Sequence, residues 1–253
     1  SLIIDKTQHF QYPDIGSHYI LILWTDKEKE MALMPKLTAV AYILGALLLS
    51  TTVTAEPVNL SLEKQQLVEY HDSGKYDQDL AAVSKQAMYY LRFRINQNKN
   101  LTQPNKLAIV MAVDETALSN YNNLKNEHFG GQKMAMNAEK NRADDPAISY
   151  VLSLYQYAVK NKVAVLLISD RPESLRKATA KNLKNAGYTQ YQQLFLKPNT
   201  ASTTNTAYKT QARVDIEKKG YDIAVNLGDQ FSDLRGGHAD MAFKLANPFY
   251  MTA

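Results

Sequence analysis

Hydrophobic and polar positions along this chain change period several times, and each change marks an element. From Ser61 to Gln97 the apolar residues recur at helical spacing, as in Leu80, Val83, Ala87, Tyr90 and Leu91, with a break at Asp72-Ser73-Gly74; this predicts two amphipathic helices. A polar loop, NQNKNLTQPNK, gives way to the apolar run Leu107–Val113, which reads as a buried strand. After an excursion through HFGGQKMAMNAEKNRADD with little periodicity, a helix is expected over Pro146–Asn161, capped by Asp144 or Asp145 and with Pro146 near its first turn. Val163–Ile168 is a second buried strand, and helix Pro172–Ala186 should end at Gly187 in a left-handed cap. Leu194–Leu196 reads as a short third strand, Ala207–Lys219 as a helix stopped by Gly220, and Ile223–Leu227 as a fourth strand. Strands alternating with helices predict an α/β fold, a parallel sheet flanked by helices.

Each predicted strand runs into polar residues: VDET, SDR, LKPN and LGDQ. The carboxyl ends of strands in an open parallel sheet line one edge, and ligands bind there. One such cluster reads most simply as a strand end or helix start. Four in order, distant in sequence, point to a site.

The segment from Met34 to Pro57 has a different character. A basic start at Lys36, an apolar stretch Leu37–Leu49 and small polar residues ending Val53-Thr54-Ala55 form the pattern of a secretory signal peptide, with cleavage after Ala55. The competing reading is an uncleaved anchor, but the apolar run is shorter than the roughly 20 residues a spanning helix needs. Residues 1–33 read as an upstream extension, 34–55 as the signal peptide and 56–253 as the functional domain. The expected location is periplasmic or secreted, with no stable membrane anchor.

Composition narrows this further. There is no cysteine in the 253 residues, so an exported form would rely on its core rather than on disulfides. Residues 1–55 carry four of the 29 Lys+Arg and five of the 25 Asp+Glu, leaving 25 basic against 20 acidic residues. That modest excess suits an anionic small substrate, and no basic stripe interleaved with aromatics suggests nucleic acid. The five histidines show no zinc-ligand spacing.

Asp114, Ser169, Lys209, Asp229 and Asp233 together could serve phosphoryl chemistry. Carboxylates from two strand ends can hold Mg²⁺, and a hydroxyl, a lysine and helix N-terminal N–H groups can surround a phosphoryl group. The motifs are specific. VDETALSNY, ISDRPE, YKTQAR and GDQFSDL resemble, in order, the four motif segments of the haloacid dehalogenase superfamily, in its acid phosphatase branch (subfamily IIIB) of exported bacterial class B/C-like enzymes and plant vegetative storage proteins. The resemblance runs from about Leu67 onward.

It implies a Rossmann-like haloacid dehalogenase fold with a small cap insertion, here Tyr121–Asp144, and hydrolysis of small phosphate monoesters through an aspartyl-phosphate with Mg²⁺. By the same resemblance Asp114 would be the general acid and base, its backbone carbonyl binding Mg²⁺. Ser169 would hydrogen-bond a phosphoryl oxygen beside the N–H of Asp170, and Lys209 would neutralise the phosphoryl charge. Asp229 would ligate the metal, and Asp233 would orient metal waters or Lys209. Arg171 reads equally as a substrate contact or as a salt bridge at a helix start. Members of this kind are often dimers or tetramers, so a homo-oligomer is compatible.

The departure is Ala112, which occupies the position of the aspartate nucleophile. A methyl group neither attacks phosphorus nor binds a metal. Two readings follow: a phosphatase-family member severely impaired at this position, or a non-catalytic relative that binds phosphate esters or serves as a storage protein, for which the plant members are a precedent.

Overall fold

A computed structural model describes residues 57–130 and 133–252. The expected signal peptide and upstream extension lie outside these residues. Two helices open the described chain, α1 (Leu60–Asp72) and α2 (Lys75–Lys99), broken at Gly74 as its φ of 81° requires. Asn59 caps α1 by accepting the N–H of Ser61. Helix α2 is amphipathic and buries Tyr76, Leu80, Ala87, Leu91 and Ile95.

Strand β1 (Lys106–Met111) lies at the centre of a five-stranded parallel sheet with β2 (Ala164–Pro172), β3 (Gln193–Lys197), β4 (Tyr221–Gly228) and β5 (Met241–Lys244), in the order β3-β2-β1-β4-β5. Alternation divides its side chains between two cores. Ile109, Met111, Val165 and Leu167 face the side covered by α2 and α5 (Ser149–Lys160), whereas Ala108, Val110, Leu166 and Ile168 face α7 (Asn205–Lys218).

Between β1 and α5 the excursion forms α3 (Tyr121–Asn126) and α4 (Lys133–Arg142). A short 3₁₀ turn, Glu173–Leu175, leads from β2 into α6 (Arg176–Asn185), and α8 (Phe231–Leu234) follows β4. Gly187 takes the left-handed conformation at φ 100°, and Tyr188 N–H reaches back to the Leu183 carbonyl.

Three expectations are corrected. The helix expected from Pro146 begins at Ser149, because Ala147 pairs with Leu118 in an isolated bridge. Asp145 does not cap that helix: it is buried, its backbone N–H donating to Asn182 Oδ1 and its carboxylate accepting from Asn123 Nδ2. The first strand stops at Met111, although Ala112 N–H still donates to the Leu227 carbonyl at 2.9 Å. Strand β5 was not anticipated.

Candidate active site

Strands β1, β2 and β4 deliver their carboxyl ends to a cavity of about 360 Å³ whose lining includes Ala112, Asp114, Ser169, Arg171, Lys209 and Asp229. Asp170 and Asp233 also line it, so every residue singled out in the sequence arrives at one place. A larger cavity of about 480 Å³ opens beside Asn105, Lys106, Gln192 and Tyr221, where strands begin, and includes none of them.

The turn after β1 sets the first wall. Leu118 N–H returns to the Val113 carbonyl at 2.9 Å, and Glu115 adopts φ 41° within this tight turn. Asp114 therefore points toward β2, where Arg171 clamps it: Nη2 to Oδ1 at 2.7 Å and Nε to Oδ2 at 3.0 Å. Asn120 Nδ2 adds a third donor at 2.8 Å. Burial alone would raise the Asp114 pKa, but the charges of Arg171 and Lys140 and the hydrogen bonds hold it well below the usual carboxylate range. Arg171 is itself only 2% exposed. It also lies 3.5 Å from Asp145, so it forms a buried ion pair with two carboxylates at the end of β2 while lining the cavity.

Glu115 turns away from the cavity. Its carboxylate accepts the Asn120 N–H at 2.7 Å and the Tyr250 hydroxyl. Burial, reinforced by the charges of Asp114 and Asp229, pushes its pKa up to about 8.

Ser169 sits at the carboxyl end of β2, 1% exposed, and its Oγ accepts the N–H of Arg171 at 3.1 Å. That contact leaves the hydroxyl proton for an acceptor in the cavity. From α7, Lys209 donates to Asp233 at 2.7 Å and lies 3.4 Å from Asp170. Burial works against its charge, but the carboxylates of Asp233, Asp170 and Asp229 and the hydrogen bond to Asp233 together outweigh burial, so its pKa is raised.

The β4 end is built for close approach. A Cβ at Gly228 would fall 2.3 Å from Asp233 Cβ, so only glycine lets α8 fold back on the strand. Asp233 Oδ2 accepts the Gln230 N–H at 2.8 Å in a capping box. Arg213, fully buried, donates to the carbonyls of Asp233, Arg235 and Gly237 and pins this loop from beneath. Burial lowers its pKa to about 10. Asp229 accepts from Thr116 at 3.1 Å, Gln230 at 2.7 Å and Asn247 at 2.8 Å. Burial, then the charge of Asp233, raises its pKa to about 6.

The side chains here do not by themselves complete a donor set for Mg²⁺; the backbone carbonyl of Asp114 and the carboxylate of Asp229 are the oxygens left to hold it. Among the described residues no three Asp, Glu, His or Cys side chains gather as a metal-holding group. Asp114 is committed to Arg171 and Asp233 to Lys209, and Ala112 supplies no oxygen. Asp229 is the one carboxylate of the three held by neutral donors alone.

Several contributors escaped the sequence reading. Asn120 and Glu115 lie inside VDETALSN and Arg213 inside YKTQAR, so the motifs carried them without a role. Lys140 and Met136, which line the cavity from α4, carry no periodic or motif signal of their own, whereas Tyr250 closes the terminal KLANPFY, a segment that resembles the same branch but suggested no role.

Fold and cleft together define an α/β protein whose parallel sheet presents a hydroxyl, a lysine and an arginine-clamped carboxylate at its carboxyl edge. The chain belongs to the haloacid dehalogenase superfamily, subfamily IIIB (acid phosphatase), whose family model matches residues 37–253. It is 34% identical over 189 residues to the stem 28 kDa glycoprotein of Glycine max, spanning 72% of each chain. Vegetative storage protein 1 of Arabidopsis thaliana is 31% identical over 182 residues, 70% of this chain and 66% of that protein. Acid phosphatase 1 of Solanum lycopersicum is 30% identical over 187 residues, 72% of this chain and 71% of that one. The class C acid phosphatase from Bacillus anthracis shares the fold, with TM-score 0.60 at 21% identity over 75% of this chain and 86% of that one.

Proposed function

We propose that this chain binds phosphate monoesters at the carboxyl edge of its sheet and does not carry them through an aspartyl-phosphate. The observation that carries the reading is Ala112: its methyl lies in a cavity shared with Ser169, Lys209 and Asp229, where the covalent step needs a carboxylate. Phosphoryl oxygens would meet the Ser169 hydroxyl, the Asp170 N–H and Lys209. The other carboxylates do not replace the missing one. Asp114 is held anionic by Arg171 and has no proton ready for a leaving alcohol; Asp233 is tied to Lys209 and Asp229 to three donors. Relatives named as storage proteins support a family role without turnover, and the tomato phosphatase supports phosphate esters as the ligand class.

The reading includes export as a soluble protein. It is supported by the leader-like segment 34–55 and by relatives named as stem glycoproteins. Protein recovered outside the cytoplasm should begin near Glu56 by N-terminal sequencing.

The test is Ala112→Asp, assayed with an aryl phosphate and Mg²⁺ at mildly acidic pH. The parent should bind the ester by calorimetry without hydrolysing it, and the variant should turn it over on the order of 10³-fold faster or more. Metal-dependent hydrolysis by the parent at the variant's rate would refute the proposal, as would absence of ester binding.

A further inference from the structure

Helix α4 brings Met136, Asn137 and Lys140 to the cavity, three residues at i, i+1 and i+4 on one helical face. Lys140 Nζ lies 3.6 Å from Asp114 Oδ1, and its side chain is 17% exposed. That separation is too long for a hydrogen bond. The oxygen is already taken, since Asp114 Oδ1 accepts from Arg171 Nη2 at 2.7 Å, Arg171 Nε at 3.2 Å and Asn120 Nδ2 at 2.8 Å. Among the described residues Lys140 donates to no side chain or carbonyl. An ammonium with three donors, largely shielded from solvent and facing a cavity, is placed to receive an anion.

Its position says which part of a ligand it would meet. Ser169 and Lys209, the groups suited to the phosphoryl oxygens, come from β2 and α7. Lys140 comes from the inserted helix and lies beside Asp114, whose place in the family pattern is at the leaving alcohol, so the alcohol portion of a bound ester would extend toward it. This step rests on the phosphate-ester reading above. We infer that Lys140 selects phosphate monoesters whose alcohol portion carries its own negative charge, a carboxylate or a second phosphate, by pairing with that second anion. Arg171 already supplies the short, bidentate clamp on Asp114, so Lys140 adds only its charge there and keeps its three donors for a ligand.

The experiment compares two small esters of similar size, phosphoglycolate with an anionic alcohol portion and ethyl phosphate with a neutral one. Both are titrated calorimetrically into the full chain at low ionic strength, with and without Mg²⁺. The parent should prefer phosphoglycolate by about tenfold, the value of one charge-assisted hydrogen bond. Lys140→Met should bring the ratio of the two affinities close to one, and Lys140→Arg should restore most of it. Lys140→Gln serves as the second neutral variant should the methionine disturb folding, which far-ultraviolet dichroism and the urea midpoint report. An unchanged ratio in a folded neutral variant overturns the assignment alone. Equal weakening of both esters does so too, because it would place Lys140 on the phosphoryl group or behind Asp114. Failure of the parent to bind either ester overturns the phosphate-ester reading and this inference with it.

Discussion

The carboxylate of Asp145 lies 3.5 Å from Arg171 Nη2, its Oδ1 accepts from Asn123, and its Oδ2 is buried with no hydrogen-bond partner among the described residues. Burial raises its pKa from 3.8 to about 6, against the pull of Arg171 and with help from Asp114. A carboxyl raised on folding binds its proton more tightly in the folded state. Its stabilising contribution is therefore complete below the unfolded value and lost as pH rises through about 6. Asp114 is displaced in the opposite sense, so the parent's stability curve alone would mix the two. The difference between parent and Asp145→Asn isolates Asp145. Between pH 4 and 8 the asparagine variant should gain on the parent by about 3 kcal/mol at most, the linkage equivalent of that displacement. Urea midpoints across the range measure it, and a pH-independent difference would mean that Asp145 stays ionised throughout.

At the scale of elements, the junction of β4 with α8 and α7 places half of the site. Gly228 ends β4 with no room for a side chain, because a Cβ there would meet Asp233 Cβ at 2.3 Å. Gly228→Ala should therefore cost about 1–3 kcal/mol by overpacking. It should also weaken phosphate-ester binding, because Asp233 holds Lys209 at 2.7 Å; urea denaturation and calorimetry report the two effects separately. Loss of stability with unaltered affinity would show that Lys209 is positioned without Asp233. The central strands were legible because runs such as VAVLLI, which enters β2, are apolar on both faces, as a central parallel strand must be. Strand β5 was not: four residues, Met241–Lys244, are too few to show a period, and they take their place by pairing along the open edge of β4. Helices α3 and α4 escaped for a different reason. Their sequences, YNNLKN and KMAMNAEKNR, are too polar to show an apolar stripe, so the inserted segment was marked by its place in the motif order and not by its pattern. Asp145 misled as a helix cap because Asn182 and Arg171, neighbours in space only, claim it first.

Across the described residues, the opening helices and the C-terminal segment meet behind the site. The Phe249 ring lies 5.1 Å from Tyr76 at the start of α2, 5.3 Å from Tyr121 in α3, and is stacked at 5.8 Å on Phe129. His71 of α1 stacks on Tyr121 at 3.3 Å. One aromatic cluster thus joins the opening helices, the inserted segment and the last residues, and Tyr250 passes from it to donate its hydroxyl to Glu115 in the turn beyond β1. Sequence motifs located the front of the site, but this rear support depends on contacts between residues from 50 to 173 positions apart, a pairing that no local pattern encodes. Phe249→Ala should cost about 3–5 kcal/mol through the lost burial and the cavity left behind. Phe249→Leu, which keeps most of the volume, should cost less than about 1.5 kcal/mol. If the cluster is a shared support, hydrogen exchange in Phe249→Ala should quicken together in α1, α3 and the turn after β1, within one cooperative urea transition. Faster exchange confined to Asn247–Thr252 would instead make the C-terminal segment a passive strap, and the geometry around Glu115 and Asp114 would then stand on the turn after β1 alone.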